Sequence, residues 1–173
     1  MSGIGPMLVA VDDGYDYIKV WTRERFERIP TAVSLTTRTT ASLLDRRDAR
    51  ERVYEVEGAN WAVGPDVLDP MDTRYEDFPF SAANLAVSMD AIRRVVPSPV
   101  MVHVVAGVPL NRYYDRSGSV RHSVVERKSL AWRRPIRGSR RCPTTRDRAG
   151  LPHRRVSRGV VRLRYRRFHA REI

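Results

Sequence analysis

Cysteine is almost absent from this 173-residue chain: Cys142 stands alone, so neither an internal disulfide framework nor a cysteine-based metal site can be built. That excludes a small disulfide-stapled secreted domain and fits a reducing compartment. Long apolar runs are also missing, and none approaches the roughly 20 residues that a membrane-spanning helix needs. Met1 to Pro6 lacks the basic region leading into an apolar stretch that marks a secretory leader. The chain therefore reads as soluble and cytoplasmic, with no membrane partner. No repeat is visible at solenoid periods, and the length suits one ordinary domain better than two.

Charge is abundant but unevenly placed. Thirty-two Lys and Arg against 20 Asp and Glu give a formal +12, which alone suggests a nucleic-acid or anionic-membrane partner. Residues 137–173, however, hold 13 Arg, no Lys and two acidic groups, a net +11, whereas residues 1–136 hold 19 basic and 18 acidic groups, a net +1. The expected organisation is a folded body over 1–136 and a basic tail over 137–173. The tail has no apolar period of either kind and cannot bury enough surface to offset ordering, so disorder is expected there.

Within the body, Met7 to Val11 is a short apolar run ending at Asp12-Asp13-Gly14, the pattern of a buried strand and a turn. Tyr15 to Trp21 alternates as a second strand, and Phe26 to Ile29 supplies a third before Pro30. Residues 34–50 read as a surface excursion. Val53 to Val56 and Trp61 to Val63 flank Gly58-Ala59-Asn60 as a small hairpin, and the prolines of 64–79 argue for loop. Ser81 is a candidate N-cap for a helix whose Leu85, Met89, Ile92 and Val96 form one apolar stripe, closed by Arg93, Arg94 and Pro97. Val100 to Val105 is then a β-branched strand, and Ser123 to Ala131 adds a second helix. The order βββαβ, with a parallel return and the helix on one sheet face, is an α/β fold.

Two constellations carry possible chemistry. In Val9-Ala10-Val11-Asp12-Asp13-Gly14, followed by Ile18-Lys19, a turn between buried strands can aim backbone N–H groups at a phosphate. Gly14 permits close approach, an Asp can hold hydrated Mg²⁺, and Lys19 can meet phosphate oxygens. A plain Asp-Gly hairpin with exposed charges has the same local pattern. The second constellation is Pro109-Leu110-Asn111-Arg112-Tyr113-Tyr114-Asp115-Arg116 with Glu126-Arg127-Lys128 downstream.

Together these motifs resemble the ParM/StbA plasmid-segregation proteins, bacterial actin-like ATPases, over roughly residues 7–136. The resemblance implies a partial actin-like, ribonuclease-H-like domain, with ATP and Mg²⁺ as ligands and filaments formed with itself or a full-length relative. It also implies an adaptor protein bound to plasmid DNA. Carried over residue by residue, it makes Asp12 the Mg²⁺-associated carboxylate acting through water, and Asp12, Asp13, Gly14 and Lys19 the nucleotide-phosphate set. Tyr15 and Asp16 depart from the small hydroxyl residues of that family turn, and Tyr113 and Tyr114 are expected to be packing residues.

After Ile136 the family pattern stops: no Pro-Glu stretch and no Asp-x-Gly-Gly-Thr-Thr loop follows. The expectation is a truncated or frameshifted copy with one wall of the nucleotide cleft, inactive as an ATPase. The competing reading is a non-enzymatic protein that binds nucleic acid non-specifically through the arginine-rich tail. No catalytic residue is assigned. His103, in mid-strand, is expected in the core rather than on a metal.

Overall fold

The computed structural model describes residues 6–37, 52–96, 101–138 and 163–164. Strands β1 (Met7–Asp13), β2 (Tyr17–Trp21) and β3 (Phe26–Pro30) form an antiparallel meander, and β7 (Val102–Ala106) returns parallel to β1. Alternation within these strands explains the layering: Val9, Val11, Ile18, Val20, Ile29, Val102 and Val104 all point to one face and are buried there. A two-residue strand, β9 (Leu163–Arg164), pairs parallel with β7, so the five-stranded sheet runs β3-β2-β1-β7-β9. This is the expected α/β core in the expected order. Pro30 sits at the end of edge strand β3, where its missing N–H costs no ladder bond.

A second sheet, β4-β6-β5-β8, comprises β4 (Val33–Leu35), β5 (Arg52–Val56), β6 (Ala59–Val63) and β8 (Ile136–Gly138). The β5–β6 hairpin turn begins one residue earlier than its sequence suggests and is one residue shorter, at Glu57 and Gly58, whose φ values of 53° and 79° are those of the tight turn that matches strand twist. Gly58 accepts that conformation without strain, and Asn60 instead pairs with Glu55 in the ladder. The start of the expected 34–50 excursion is strand β4, and residues 38–50 of it lie outside the described residues.

Helix α1 (Ala82–Val95) begins where expected: the Ser81 hydroxyl accepts the Asn84 N–H at 3.1 Å, and Arg93 and Arg94 lie in the last turn. Its surroundings differ from the single-stripe expectation. The helix lies between the two sheets, and 11 of its 14 residues are buried, including Ser88 and Asp90. Asp90 faces the small sheet, fully buried, and accepts from Arg52 at 2.6 Å, from the Tyr54 hydroxyl at 2.9 Å and from Arg94 one turn on at 3.0 Å. Burial and the neighbouring Asp90 carboxylate push the Tyr54 hydroxyl far up, so it remains a donor. The polar break in the helix stripe is thus the point where the inserted sheet is pinned to the core.

Three further details depart from expectation. The Pro-punctuated segment before α1 contains a 3-10 turn, Phe78–Phe80, whose three residues are buried. Tyr113 and Tyr114 pack edge-to-face on each other at 4.8 Å beside the short helix α2 (Leu110–Tyr113), and Tyr114 stays largely exposed rather than entering the core. His103 lies on the outer sheet face, half-buried, because it falls between the inward-facing Val102 and Val104. Helix α3 (His122–Trp132) matches the expected second helix within a residue at each end. The proposed boundary after Ile136 falls inside β8. Of the tail, only Arg137, Gly138 and β9 are described.

Asp90→Ala should cost about 3–5 kcal/mol, because it removes the buried carboxylate on which Arg52, Arg94 and the Tyr54 hydroxyl converge, whereas Tyr54→Phe should cost about 1 kcal/mol. Urea unfolding checks both. Equal small losses would show that the cluster does not secure the sheet.

Candidate phosphate-binding turn

The turn between β1 and β2 is closed by its own backbone and by the segment before α1. A Cβ on Gly14 would sit 2.9 Å from the Tyr17 carbonyl oxygen, so any side chain there opens the turn. Thr31 donates its hydroxyl to the Gly14 carbonyl at 3.0 Å, and its N–H to the Asp16 carbonyl at 2.9 Å. Thr73 donates to the Tyr15 carbonyl at 2.7 Å, and Arg74 pairs with Asp16 at 2.9 Å. Tyr15 leans on Phe78, ring centroids 6.0 Å apart.

Strand alternation sends the two consecutive aspartates to opposite faces. Asp12 lies opposite Lys19 in the β1–β2 register, and the Lys19 ammonium donates to it at 2.8 Å, with side chains 54% and 41% exposed. Asp13 points inward and meets the Lys128 ammonium from α3, a pair with side chains only 8% and 1% exposed. Lys128 also donates to the Pro79 carbonyl at 2.6 Å and lies 5.4 Å from the Trp132 ring centre. Burial pushes the Asp13 carboxyl up and the Lys128 ammonium down, while their mutual attraction opposes both shifts. Around this pair, Arg127 binds Asp77 at 2.8 Å and stacks 4.5 Å from the Phe80 ring, and Arg112 binds Glu76. Helix α3 and the 3-10 turn thereby brace the β1–β2 turn from beneath.

Of the four residues singled out in the sequence, Asp12, Gly14 and Lys19 therefore share one solvent-open site, and Asp13 is placed on the other side of the sheet as a structural anchor. Lys128, quoted in the sequence only within the downstream Glu-Arg-Lys stretch and given no role there, is the residue that holds the turn from its inner side. A signal existed: Lys19 and Lys128 are the only two lysines among 32 basic residues, and each serves one aspartate of the turn.

The donor set suits a nucleotide phosphate with hydrated Mg²⁺. An exposed carboxylate is a hard oxygen acceptor for metal-bound water, and a flexible ammonium beside it can leave the carboxylate for a phosphate oxygen. Among the described residues no three His, Cys, Asp or Glu gather as a metal-ligating group, so Mg²⁺ here would depend on water and phosphate oxygens. Because β1 and β7 run parallel, with Val11 opposite Ala106, their C-terminal ends share the sheet edge that carries this turn, the usual ligand edge of such sheets.

Comparison with known proteins agrees with this architecture. Residues 10–123 match the family model described as the N-terminal domain of actin-like proteins. No curated protein matches the chain in sequence. Among solved structures, apo pSK41 ParM superposes with a TM-score of 0.53 at 17% identity, covering 79% of this chain and 45% of that one. Ta0583, an archaeal actin homolog, gives 0.54 at 16% identity, covering 78% and 41%. A non-polymerisable quadruple mutant of pCBH ParM gives 0.50 at 15%, covering 77% and 40%. The chain thus spans less than half the length of the structures it resembles. Among the described residues, no helix is long and apolar enough to cross a membrane.

Lys128→Met should cost about 3–5 kcal/mol near neutral pH by leaving Asp13 buried without its cation. The loss has a defined pH dependence. With the lysine gone, burial alone holds the Asp13 carboxyl above its ordinary 3.8 in the folded state. A carboxyl raised on folding stabilises below its unfolded pKa and loses that contribution as pH rises through the folded value. The deficit of Lys128→Met should therefore grow from pH 3.8 upward, and adding Asp13→Asn should restore much of the loss. Urea titrations across that range check this, and a pH-independent deficit would show that lost packing dominates.

Proposed function

Since the chain belongs to the actin-like proteins through their N-terminal domain, we propose that it carries the first phosphate-binding wall of a ParM-type ATPase of plasmid segregation. The observation that carries this reading is the solvent-open trio Asp12, Gly14 and Lys19 at the C-terminal edge of β1, on a turn braced by the buried Phe78–Phe80 3-10 turn and by α3. In this reading Asp12 holds Mg²⁺ through water, Gly14 lets the backbone approach a phosphate, and Lys19 exchanges its carboxylate partner for a phosphate oxygen. Asp13 contributes by fixing the turn, without touching the ligand.

Nucleotide hydrolysis, filament assembly with further copies, and attachment to plasmid DNA through an adaptor belong to the longer, two-walled protein. The described residues supply one wall, and on this reading that wall by itself binds ATP weakly and turns none over. The reading also places it in the cytoplasm, where plasmids segregate.

Calorimetry with Mg²⁺ and ATP should show no site tighter than the high micromolar range, and a dissociation constant near 1 μM, about 8 kcal/mol, would overturn the one-wall reading. At millimolar nucleotide, amide resonances of residues 12–19 should still shift, and Lys19→Ala should abolish the shifts. Silence at those amides would remove the phosphate turn itself.

A further inference from the structure

Among the described residues five buried side-chain polar atoms make no hydrogen bond, and four of the five lie on two neighbouring helices: the Asn84 amide nitrogen and oxygen and the Ser88 hydroxyl on α1, and the Trp132 indole nitrogen on α3. Asn84 and Ser88 are one turn apart and share a face of α1. That face is turned toward α3. The Asn84 amide faces the Asp13 carboxylate, which it favours in the charged form, without completing a hydrogen bond to it, and the same carboxylate meets Lys128 of α3. Lys128 and Trp132 are likewise one turn apart and buried, with the ammonium 5.4 Å from the indole centre. The two helices also run in the same sense. Lys128 reaches the Pro79 carbonyl just before α1 begins, and a Cβ on Gly138, just past the end of α3, would run into the Arg93 guanidinium from the last turn of α1. From the level of Asn84 and Lys128, a step of one turn, about 5.4 Å, therefore arrives at Ser88 on one helix and Trp132 on the other.

We propose that α1 and α3 enclose internal water, held by Asn84, Ser88 and Trp132 one turn below the Asp13–Lys128 pair. Buried polar atoms are rarely left unpaired, because each then carries its full desolvation cost. The donor and acceptor set selects the ligand. Two nitrogens with protons to donate, an amide oxygen and a hydroxyl suit a small molecule that both accepts and donates hydrogen bonds, as buried water does with about three of them. Asp13 and Lys128 already neutralise each other, so an ion placed here would add an uncompensated buried charge. An apolar guest would leave all four atoms unpaired. A gap that polar groups face without closing is the ordinary place of a bridging water. Because such bonds are directional, they set the level of α3 against α1, and with it the position of Lys128 under the turn.

The test uses the full 173-residue chain labelled with ¹⁵N and water-selective NOE and ROE spectra read at the Trp132 indole N–H and the Asn84 side-chain amide. Both should show cross-peaks at the water frequency, with NOE and ROE of opposite sign, the mark of a long-resident water. Asn84→Leu, nearly isosteric, separates that water from magnetisation relayed by the Ser88 hydroxyl: the Trp132 cross-peak should lose most of its intensity although the hydroxyl remains. The urea midpoint of Asn84→Leu should fall. A dry seam gives the opposite shift, since leucine then replaces an unpaired amide. Ser88→Ala, the milder change on the same face, should also weaken the Trp132 cross-peak and serves where Asn84→Leu does not fold. A wild-type spectrum without these cross-peaks overturns the proposal whatever the variants do, as would happen if Ser88 bonded the backbone of α1 directly. A Trp132 cross-peak indifferent to the substitutions, or a raised midpoint for Asn84→Leu, overturns it equally.

Discussion

Asp13 and Lys128 lie 115 residues apart in sequence and meet as an ion pair sealed from water. Among the described residues, this pair ties the first turn directly to helix α3. Removing two charges from water is costly, and their attraction recovers that cost only when geometry and further hydrogen bonds are good, as the Pro79 carbonyl helps to ensure here. What the pair supplies is position. With the inner carboxylate held, strand alternation leaves Asp12 no choice but to face outward beside Lys19, and the Phe78–Phe80 turn is trapped between helix and strand. The candidate site is open to solvent because its foundation is closed.

A second buried carboxylate does comparable work at the other side of α1. Asp90 engages Arg52 and Tyr54 of the small sheet and Arg94 of its own helix. A helix between two sheets has no solvent face on which to hide a charge, so one placed there must be fully partnered. The two aspartates divide the labour: one aligns the turn, the other attaches the inserted sheet.

The sequence exposed the large sheet because alternation over β1 and β2 and the cap-to-proline span of α1 are local signals. Ser81, the Leu85–Ile92 stripe and the valine-rich β7 each speak for themselves. The small sheet was only half legible: its hairpin was visible, but β4 is three residues long and β8 begins at a change in composition, and both exist by pairing rather than by pattern. The same limit governs the site. Asp12, Gly14 and Lys19 sit within eight residues of one another and could be read together, whereas the role of Asp13 depends on a lysine whose proximity only the tertiary fold creates. Aspartates adjacent in sequence look equivalent until the pleat separates them. His103 was misplaced for the same reason, since an apolar run does not reveal which of its members face inward.

The near-exclusive use of arginine elsewhere gives the two lysines an experimental consequence. Guanidinium groups do not react with amine-directed acylating reagents, so apart from an α-amino group this chain has two reactive nitrogens, one accessible at Lys19 and one enclosed at Lys128. Acylation of Lys19 reports on the open side of the turn, and acylation of Lys128 requires α3 to lift away from it. The ratio of the two labels, read by mass after brief exposure, is a built-in measure of how tightly the turn is held, with no substitution or probe introduced.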